Sequence, residues 1–210
     1  MNNFENSEKS GILYDFLDLP YVYKFFQFLL RKFNTNYRLF NEFIDIKEDS
    51  IVLDCGCGPG TYRNFLKTNQ YIGIDINSNH IESAKKQFPR DKFINEDLLN
   101  IEKVILENID SVIMIGILHH LSDEICLKLF ENLYNKLSPN GEIYSLDPVY
   151  LEKQRFIAKF LASKDKGNFV RTPESYSSLF NNNFESRTEV INDLLRVPYD
   201  HYFMQLNKRP

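Results

Sequence analysis

The feature that most constrains this chain is the stretch Ile51–Gly60, in which a short apolar run meets an aspartate and then three glycines at alternate positions. The apolar run is rich in β-branched residues and predicts a buried parallel strand. The glycines predict a tight turn from that strand into a helix, because glycine adopts backbone conformations that other residues resist and lets a ligand approach the main chain closely. Such a turn indicates a nucleotide or nucleoside site.

From residue 51 onward, strand and helix patterns alternate along the chain. This order predicts a doubly wound α/β fold, with a mostly parallel sheet and helices on both faces. Two final strands, 184–191 and 201–207, are joined by a connection too short for a helical crossover, so we expect them to be antiparallel. The earlier strands are predicted at 51–54, 71–76, 92–94, 111–116 and 142–146, and the helices at 62–67, 78–88, 101–106, 123–137, 151–163 and 173–180.

The regions outside the alternating pattern predict a helical cap over residues 1–45 and a main domain over 46–210, in which 148–182 is an acceptor-site insertion. Residues 20–45 are unusually aromatic and have helical periodicity. These helices either pack against the sheet or cover the active site as a lid, with Tyr14, Tyr21 or Phe25 touching the ligand.

Composition excludes several classes of partner. The chain has 210 residues and a net charge of −4, which gives no general attraction to nucleic acid or to an anionic membrane. Its three cysteines cannot all pair with one another, and no Cys/His cluster with metal-ligand spacing accompanies them, so we predict a reduced protein without a metal. With no secretory signal and no apolar stretch long enough to span a bilayer, we expect a soluble cytoplasmic protein.

Polar residues follow the predicted strands at the edge where doubly wound sheets bind their ligands. Asp75 lies nineteen positions after Gly56, where a carboxylate can accept hydrogen bonds from both hydroxyls of a ribose. Asp97 can accept a hydrogen bond from an exocyclic amine of a purine, and Ile76 and Leu98 can sandwich the ring. Together these residues specify an adenosine ligand. The polar residues at the strand ends are Asp54, Asp75, Asp97, His119 and Asp147.

These residues resemble the class I S-adenosylmethionine-dependent methyltransferases. The resemblance covers about half of the chain in the order of the family's motifs, and it implies a Rossmann-like sheet of seven strands whose last strand is antiparallel. S-adenosyl-L-methionine is the implied cofactor. The matching stretches are VLDCGCGPG (52–60), YIGIDIN (71–77), INEDLL (94–99), SVIMIGILHHL (111–121) and LSPNGEIYSLDP (137–148).

The resemblance also implies roles for individual residues. Asp75 would bind the ribose, and Asp97 with Leu98 would bind the adenine. The methionine portion would be held by Asp54 and by the backbone of Gly56, Gly58 and Gly60, and the pocket near the sulfonium would be lined by Gly116, Ile117 and His119.

Methyl transfer is an in-line displacement that depends mainly on positioning, and a base is needed only when the acceptor must lose a proton. The candidate catalytic residues are His119, His201 and Tyr199, of which His119 lies in a His-His-Leu turn after the fourth strand. A local excess of positive charge in 147–171 suggests a carboxylate or phosphate on the acceptor. The candidate acceptor-binding residues are Arg155, Arg171 and Tyr150.

The sequence therefore predicts a methyltransferase that acts on a small metabolite, with the acceptor atom and the oligomeric state left open. The alternatives are a nicotinamide-dependent oxidoreductase and a catalytically inactive partner subunit. The Gly-x-Gly-x-Gly spacing and the aspartate before it disfavour the first, and the intact Asp75 and Asp97 disfavour the second. A macromolecular acceptor is disfavoured because the chain has no basic patch and no added binding domain.

Overall fold

A computed structural model describes residues 35–104, 107–165, 167–180 and 183–209. Within them the chain forms one seven-stranded sheet with the spatial order β3-β2-β1-β4-β5-β7-β6. Strands β1 to β5 pair in parallel, and β7 is antiparallel to both β5 and β6, which confirms the predicted fold. The strands are β1 (Ile51–Cys55), β2 (Gln70–Asp75), β3 (Lys92–Asn95), β4 (Ile109–Ile115), β5 (Leu137–Pro148), β6 (Phe184–Ile191) and β7 (His201–Lys208).

Helices cover both faces of this sheet. One face packs against α3, whose Cys126, Leu129 and Leu133 are buried with the side chains of β4. The opposite face packs against α2 through Ile81 and Ala84. No helix in the described ranges is both long and apolar enough to cross a membrane. The helices are α1 (Thr35–Arg38, continued by a π-helical turn at Leu39–Phe43), α2 (Ser78–Gln87), α3 (Asp123–Lys136), α4 (Phe156–Ser163) and α5 (Pro173–Ser177), and 3₁₀ turns lie at Arg63–Phe65, Leu98–Lys103 and Leu118–His120.

The predicted helix at 62–67 was wrong, since the chain makes only the 3₁₀ turn Arg63–Phe65 there. The Arg63 guanidinium turns the backbone back on itself by donating to the carbonyls of Leu66 at 2.8 Å and Thr68 at 3.0 Å, and it pairs with Asp91 at 2.6 Å. The helix predicted at 101–106 begins earlier, as a 3₁₀ turn over Leu98–Lys103. Similarly, α4 begins at Phe156 because Gln154 ties the preceding segment to Val149 O at 2.9 Å.

The described end of the predicted cap packs on the sheet. Thr35 Oγ1 donates to Leu194 O at 2.7 Å, and the Phe43 ring lies 5.5 Å from that of Phe203 on β7. Leu39, Phe40 and Ile44 are buried with side chains of the sheet, so this segment packs against the core. The helices predicted before residue 35, with Tyr14, Tyr21 and Phe25, lie outside the described residues, and the domain boundaries at 45 and 148–182 stay predictions.

The strand order reverses between β1 and β4, because β2 and β3 extend the sheet on one side and β5 extends it on the other. In doubly wound sheets the crevice beyond the carboxyl ends of the strands at this reversal is where ligands bind. The residues that follow β1, β2, β4 and β5 therefore define the candidate site.

Candidate active site

The glycine turn folds back over the end of β2. Gly56 N–H donates to Ile74 O at 2.7 Å, and Gly56 has a φ of 73°, which is the left-handed region. A Cβ at this position would overlap the side chain of Ile117, so only glycine fits between the two segments. Gly58 also has a positive φ, but a Cβ there would meet nothing closer than Thr61 Oγ1 at 3.6 Å. The backbone of the turn is thus covered by the Ile117 side chain at Gly56, whereas at Gly58 there is space for a ligand to approach it.

Asp75 fixes this turn to the tip of β2. One oxygen of its carboxylate accepts the N–H of Gly58 at 2.8 Å, and the other accepts the N–H of Asn77 at 2.8 Å. Asn77 in turn caps α2 by accepting from Asn79 N–H at 2.9 Å. An acceptor-only group is thereby held at the edge of the site, beside an exposed Ile76.

Asp97 lies at the next strand tip, where its carboxylate caps a 3₁₀ turn by accepting from Leu99 N–H at 2.9 Å. Leu98 is buried and packs in the core under α3, so it offers little surface to a ligand. The apolar surface for a purine at these tips therefore comes from Ile76 more than from Leu98. Gly60 also faces away from the crevice, because a Cβ there would meet the Phe88 ring at 2.7 Å.

Asp54, the last acid before the glycines, is almost completely buried. Burial raises the pKa of its carboxyl to about 7, the negative charge of Asp75 adds to that increase, and the hydrogen bond from Tyr71 opposes it. The Tyr71 hydroxyl donates to Asp54 Oδ2 at 2.6 Å. An ionised Asp54 is therefore costly in the ligand-free site and would be stabilised by a cationic ligand group.

His119 lies between two carboxylates beyond the ends of β4 and β5. Its Nδ1 is 2.7 Å from Asp147 Oδ1, and its Nε2 is 3.0 Å from Asp165 Oδ1. Burial by itself lowers the pKa of His119, but the hydrogen bonds and charges of the two aspartates outweigh burial and raise it to about 9. Both ring nitrogens of His119 thus contact carboxylates, which favours its protonated form, and its role as a base stays a prediction.

Tyr199 and His201 lie beside this ion pair and differ in what they can do. Tyr199 donates to Asp165 Oδ2 at 2.6 Å, and burial together with the Asp165 charge raises its pKa well above the usual range. It is therefore a neutral donor and not a base. Burial lowers the pKa of His201 to about 4, and its buried Nδ1 has no hydrogen-bond partner within the described parts of the chain. Of the three catalytic candidates, His201 alone combines a neutral ring with an uncommitted nitrogen.

The arginines predicted for the acceptor have other partners. Arg171 is buried, donates to the carbonyls of Leu118 at 2.8 Å and Leu121 at 2.6 Å, and pairs with Asp123 at 2.7 Å. Its guanidinium holds the turn after β4 in place, so the structure gives it a structural role in place of acceptor binding. Arg155 is half exposed and lies 3.2 Å from the buried carboxylate of Asp200.

Of the two acidic partners of His119, Asp147 was among the polar residues predicted at the strand ends, whereas Asp165 was missed by the sequence prediction. Asp165 belongs to a charged loop in sequence, and nothing local indicates that it reaches His119 from forty-six positions away. Gly167 supplies a signal in retrospect, because a Cβ there would overlap the His119 ring, so the loop can lie on the imidazole only with glycine at this position. Tyr150 is half-buried near the same carboxylate, whose charge adds to the effect of burial in raising the pKa of Tyr150.

Comparisons with known proteins agree with this geometry. Residues 52–141 match the family model described as a methyltransferase domain. That segment contains the glycine turn, Asp75, Asp97 and His119. Residues 52–141 therefore match a methyltransferase domain, in agreement with the resemblance that the sequence motifs indicated.

Several curated proteins share this methyltransferase domain. The chain is 32% identical over 94 residues to caffeic acid 3-O-methyltransferase of Eucalyptus globulus, which covers 44% of this chain and 29% of the relative. It is 27% identical over 168 residues to a putative methyltransferase 235L of Invertebrate iridescent virus 6, which covers 77% of this chain and 56% of the relative. The chain thus spans between about a quarter and just over half of the length of such relatives.

Solved methyltransferase structures have the same fold. Human N-acetylserotonin methyltransferase in complex with S-adenosylmethionine matches with a TM-score of 0.67 at 19% identity, over 85% of this chain and 52% of that chain. A methyltransferase from Archaeoglobus fulgidus matches with a TM-score of 0.63 at 18% identity, over 82% of this chain and 92% of that chain. At these identities the likeness concerns the fold alone.

The residues of the methyltransferase domain fit the family's cofactor. A Cβ at Gly58 or Gly116 would meet nothing closer than 3.6 Å and 3.7 Å respectively, so the backbone is open at two points of the crevice. Asp75 presents an acceptor-only carboxylate at the rim, which suits the hydroxyls of a ribose. Asp54 is the buried acid that a cationic ammonium would stabilise.

Proposed function

We propose that this chain transfers a methyl group from S-adenosylmethionine to the hydroxyl of a small organic molecule. The observation that carries the proposal is the hydrogen bond at 2.8 Å between Gly58 N–H and Asp75. It places an open stretch of backbone directly beside an acceptor-only carboxylate, in the crevice where the strand order reverses.

The cofactor supplies an electrophilic methyl group on a sulfonium. The chain's own residues bind and orient it: Asp75 accepts from the ribose hydroxyls, Asp97 from the adenine amine, and ionised Asp54 stabilises the ammonium of the methionine portion. Fixing the acceptor and the methyl group at attack distance accounts for most of the rate enhancement in this class of reaction.

A hydroxyl acceptor is favoured by the chain's relatives and by its own geometry. Several relatives are O-methyltransferases by name, among them caffeic acid 3-O-methyltransferase and (R,S)-reticuline 7-O-methyltransferase. In this chain the buried Nδ1 of His201 and the buried Oδ2 of Asp147 have no hydrogen-bond partner among the described residues. A hydroxyl that enters beside Tyr150 would find hydrogen-bonding groups there, and His201 is the ring that can accept its proton.

An anionic group on the acceptor would depend on Arg155. Arg171 has its donors occupied by carbonyls and by Asp123, so it offers no charge to a ligand. Arg155 keeps half of its side chain exposed while one nitrogen contacts Asp200. A small-molecule acceptor and a cytoplasmic location complete the proposal.

The direct test is turnover with a panel of small hydroxyl compounds, with and without a carboxylate, using S-adenosylmethionine that carries a labelled methyl group. We expect label to appear in a small product, and we expect His201→Gln to lower kcat more than it raises KM. Label that appears only in protein or nucleic acid would overturn the acceptor class. Cofactor binding without any turnover would favour the alternative that this chain is a catalytically inactive partner subunit.

A further inference from the structure

The fold brings together two histidines and one aspartate that are not clustered in the sequence. His119, His120 and Asp165 each offer one donor atom, and these atoms all lie within 4.8 Å of one another. His119 is buried, whereas the other two residues are half-buried. We infer that these three side chains form a binding site for a divalent transition-metal ion that holds the oxygen of the acceptor.

The spacing of the donors suits a metal after small adjustments. His119 Nε2 and Asp165 Oδ1 are 3.0 Å apart, and the two imidazole rings have centroids 4.1 Å apart. Metal–ligand bonds of about 2.0–2.2 Å place neighbouring ligand atoms about 3 Å from one another. The site therefore requires rotation of side chains and no movement of a strand.

Groups behind two of the three ligands, His119 and Asp165, hold them in orientation. Asp147 Oδ1 lies 2.7 Å from His119 Nδ1, so the other ring nitrogen faces Asp165. Tyr199 donates to Asp165 Oδ2 at 2.6 Å, which leaves Oδ1 to face His119. A carboxylate behind a ligating histidine is the usual support in metal sites, because it fixes the ring and increases its basicity.

The charges around the cluster also favour a cation. Asp147 and Asp165 both contact a single imidazole, and the second oxygen of Asp147 is buried without a hydrogen-bond partner in the described residues. A dication beside His119 would offset both carboxylates and would give that oxygen an electrostatic partner. A single proton on His119 offsets only one negative charge.

The donor set indicates the class of metal. Two imidazole nitrogens and one carboxylate oxygen suit Zn²⁺, Fe²⁺ or Co²⁺, whereas Mg²⁺ and Ca²⁺ prefer oxygen ligands. Three protein ligands leave at least one coordination position open, as in catalytic metal sites.

The catalytic role of this site rests on the proposed function, whereas metal binding does not. A hydroxyl bound at the open position loses its proton more readily, and His201 or water takes that proton. The oxygen lone pair then forms the bond to the methyl carbon, and the electrons of the S–C bond remain on sulfur. No oxidant or reductant is required.

The test uses the full-length chain, dialysed against a chelator and titrated with Zn²⁺ or Co²⁺ by calorimetry, with metal content checked by elemental analysis. We expect one ion per chain and a Co²⁺ absorption spectrum typical of nitrogen and oxygen ligands. His120→Ala and the isosteric Asp165→Asn should each weaken binding about 100-fold or more, while circular dichroism and thermal unfolding verify that they fold.

The matched control is His80→Gln, which removes a histidine outside the cluster and should leave metal affinity unchanged. Absence of binding, thiolate bands in the Co²⁺ spectrum, or equal affinity in His120→Ala would overturn the site. Full methyl transfer by chelator-treated protein would overturn its role in holding the acceptor. If metal binds as expected but no acceptor is methylated under any condition, the proposed function fails and the metal site stands.

Discussion

Replacing Asp54 by asparagine should stabilise the ligand-free protein at neutral pH while weakening its cofactor site. The side chain is buried, and its pKa is raised from 3.8 to about 7. This difference corresponds to a cost of about 4 kcal/mol for the ionised form in the folded protein. Asparagine has nearly the same shape, carries no charge, and can still accept the hydrogen bond of Tyr71.

The sign of the pH dependence follows from the two pKa values. Between about pH 4 and pH 7 the unfolded chain has lost this proton whereas the folded chain keeps it, so the contribution of Asp54 to stability falls as pH rises and then levels off. The free energy of unfolding of Asp54→Asn minus that of the wild type should therefore increase by about 3 kcal/mol from pH 5 to pH 8. Any pH-independent difference between the amide and the protonated acid cancels in this comparison.

The assay is urea unfolding followed by circular dichroism at several pH values, without cofactor. Tyr71→Phe is the matched variant, because loss of its hydroxyl removes the hydrogen bond that lowers the Asp54 pKa and should extend the decline in stability to higher pH than in the wild type. A difference between Asp54→Asn and wild type that stays flat from pH 5 to pH 8, or that decreases, would refute the raised pKa. Calorimetry should show that Asp54→Asn binds S-adenosylmethionine more weakly than the wild type does. Unchanged affinity would show that Asp54 does not stabilise the ammonium of the cofactor.

Three further variants test other parts of the account. In urea unfolding, Gly56→Ala should destabilise the chain by about 2–4 kcal/mol, because the position has a positive φ and a Cβ there overlaps Ile117. The additional substitution Ile117→Ala should remove only the part of this destabilisation that comes from the overlap. Arg171→Met should cost about 3 kcal/mol or more in the same assay, because the carbonyls of Leu118 and Leu121 lose the charged donor and Asp123 loses its ionic partner, and a loss under 1 kcal/mol would contradict the structural role. Asp75→Asn should weaken S-adenosylmethionine binding about 10- to 100-fold by calorimetry, and near-normal affinity would show that the ribose lies elsewhere.

The sheet could be predicted from the sequence because its determinants are local. Alternating apolar strands and polar breaks predicted all seven strands, and the short connection before His201 indicated the antiparallel pairing of β7. The cofactor edge could be predicted for the same reason, since Asp75 is the last residue of β2 and Asp97 lies two positions after the end of β3. The absence of a helix at 62–67 could not be predicted, because the contacts that hold the short 3₁₀ turn come from Asp91 and from the carbonyls of Leu66 and Thr68.

The acceptor side depends on contacts between distant residues, and there the sequence was insufficient. Arg171 lies in a positively charged stretch, so it resembled a ligand-binding arginine until its contacts with Leu118, Leu121 and Asp123 were visible. His119 gives no indication in sequence that Asp165 lies on its second nitrogen. Ion pairs between residues this far apart in the chain produce no periodic pattern in the sequence.

Calorimetry of the purified chain with S-adenosylmethionine, S-adenosylhomocysteine and NAD tests whether Asp75 and the glycine turn form an S-adenosylmethionine site. We expect both sulfur-containing ligands to bind with one site per chain, and NAD to bind far more weakly or not at all. A preference for NAD over both of them would contradict the account.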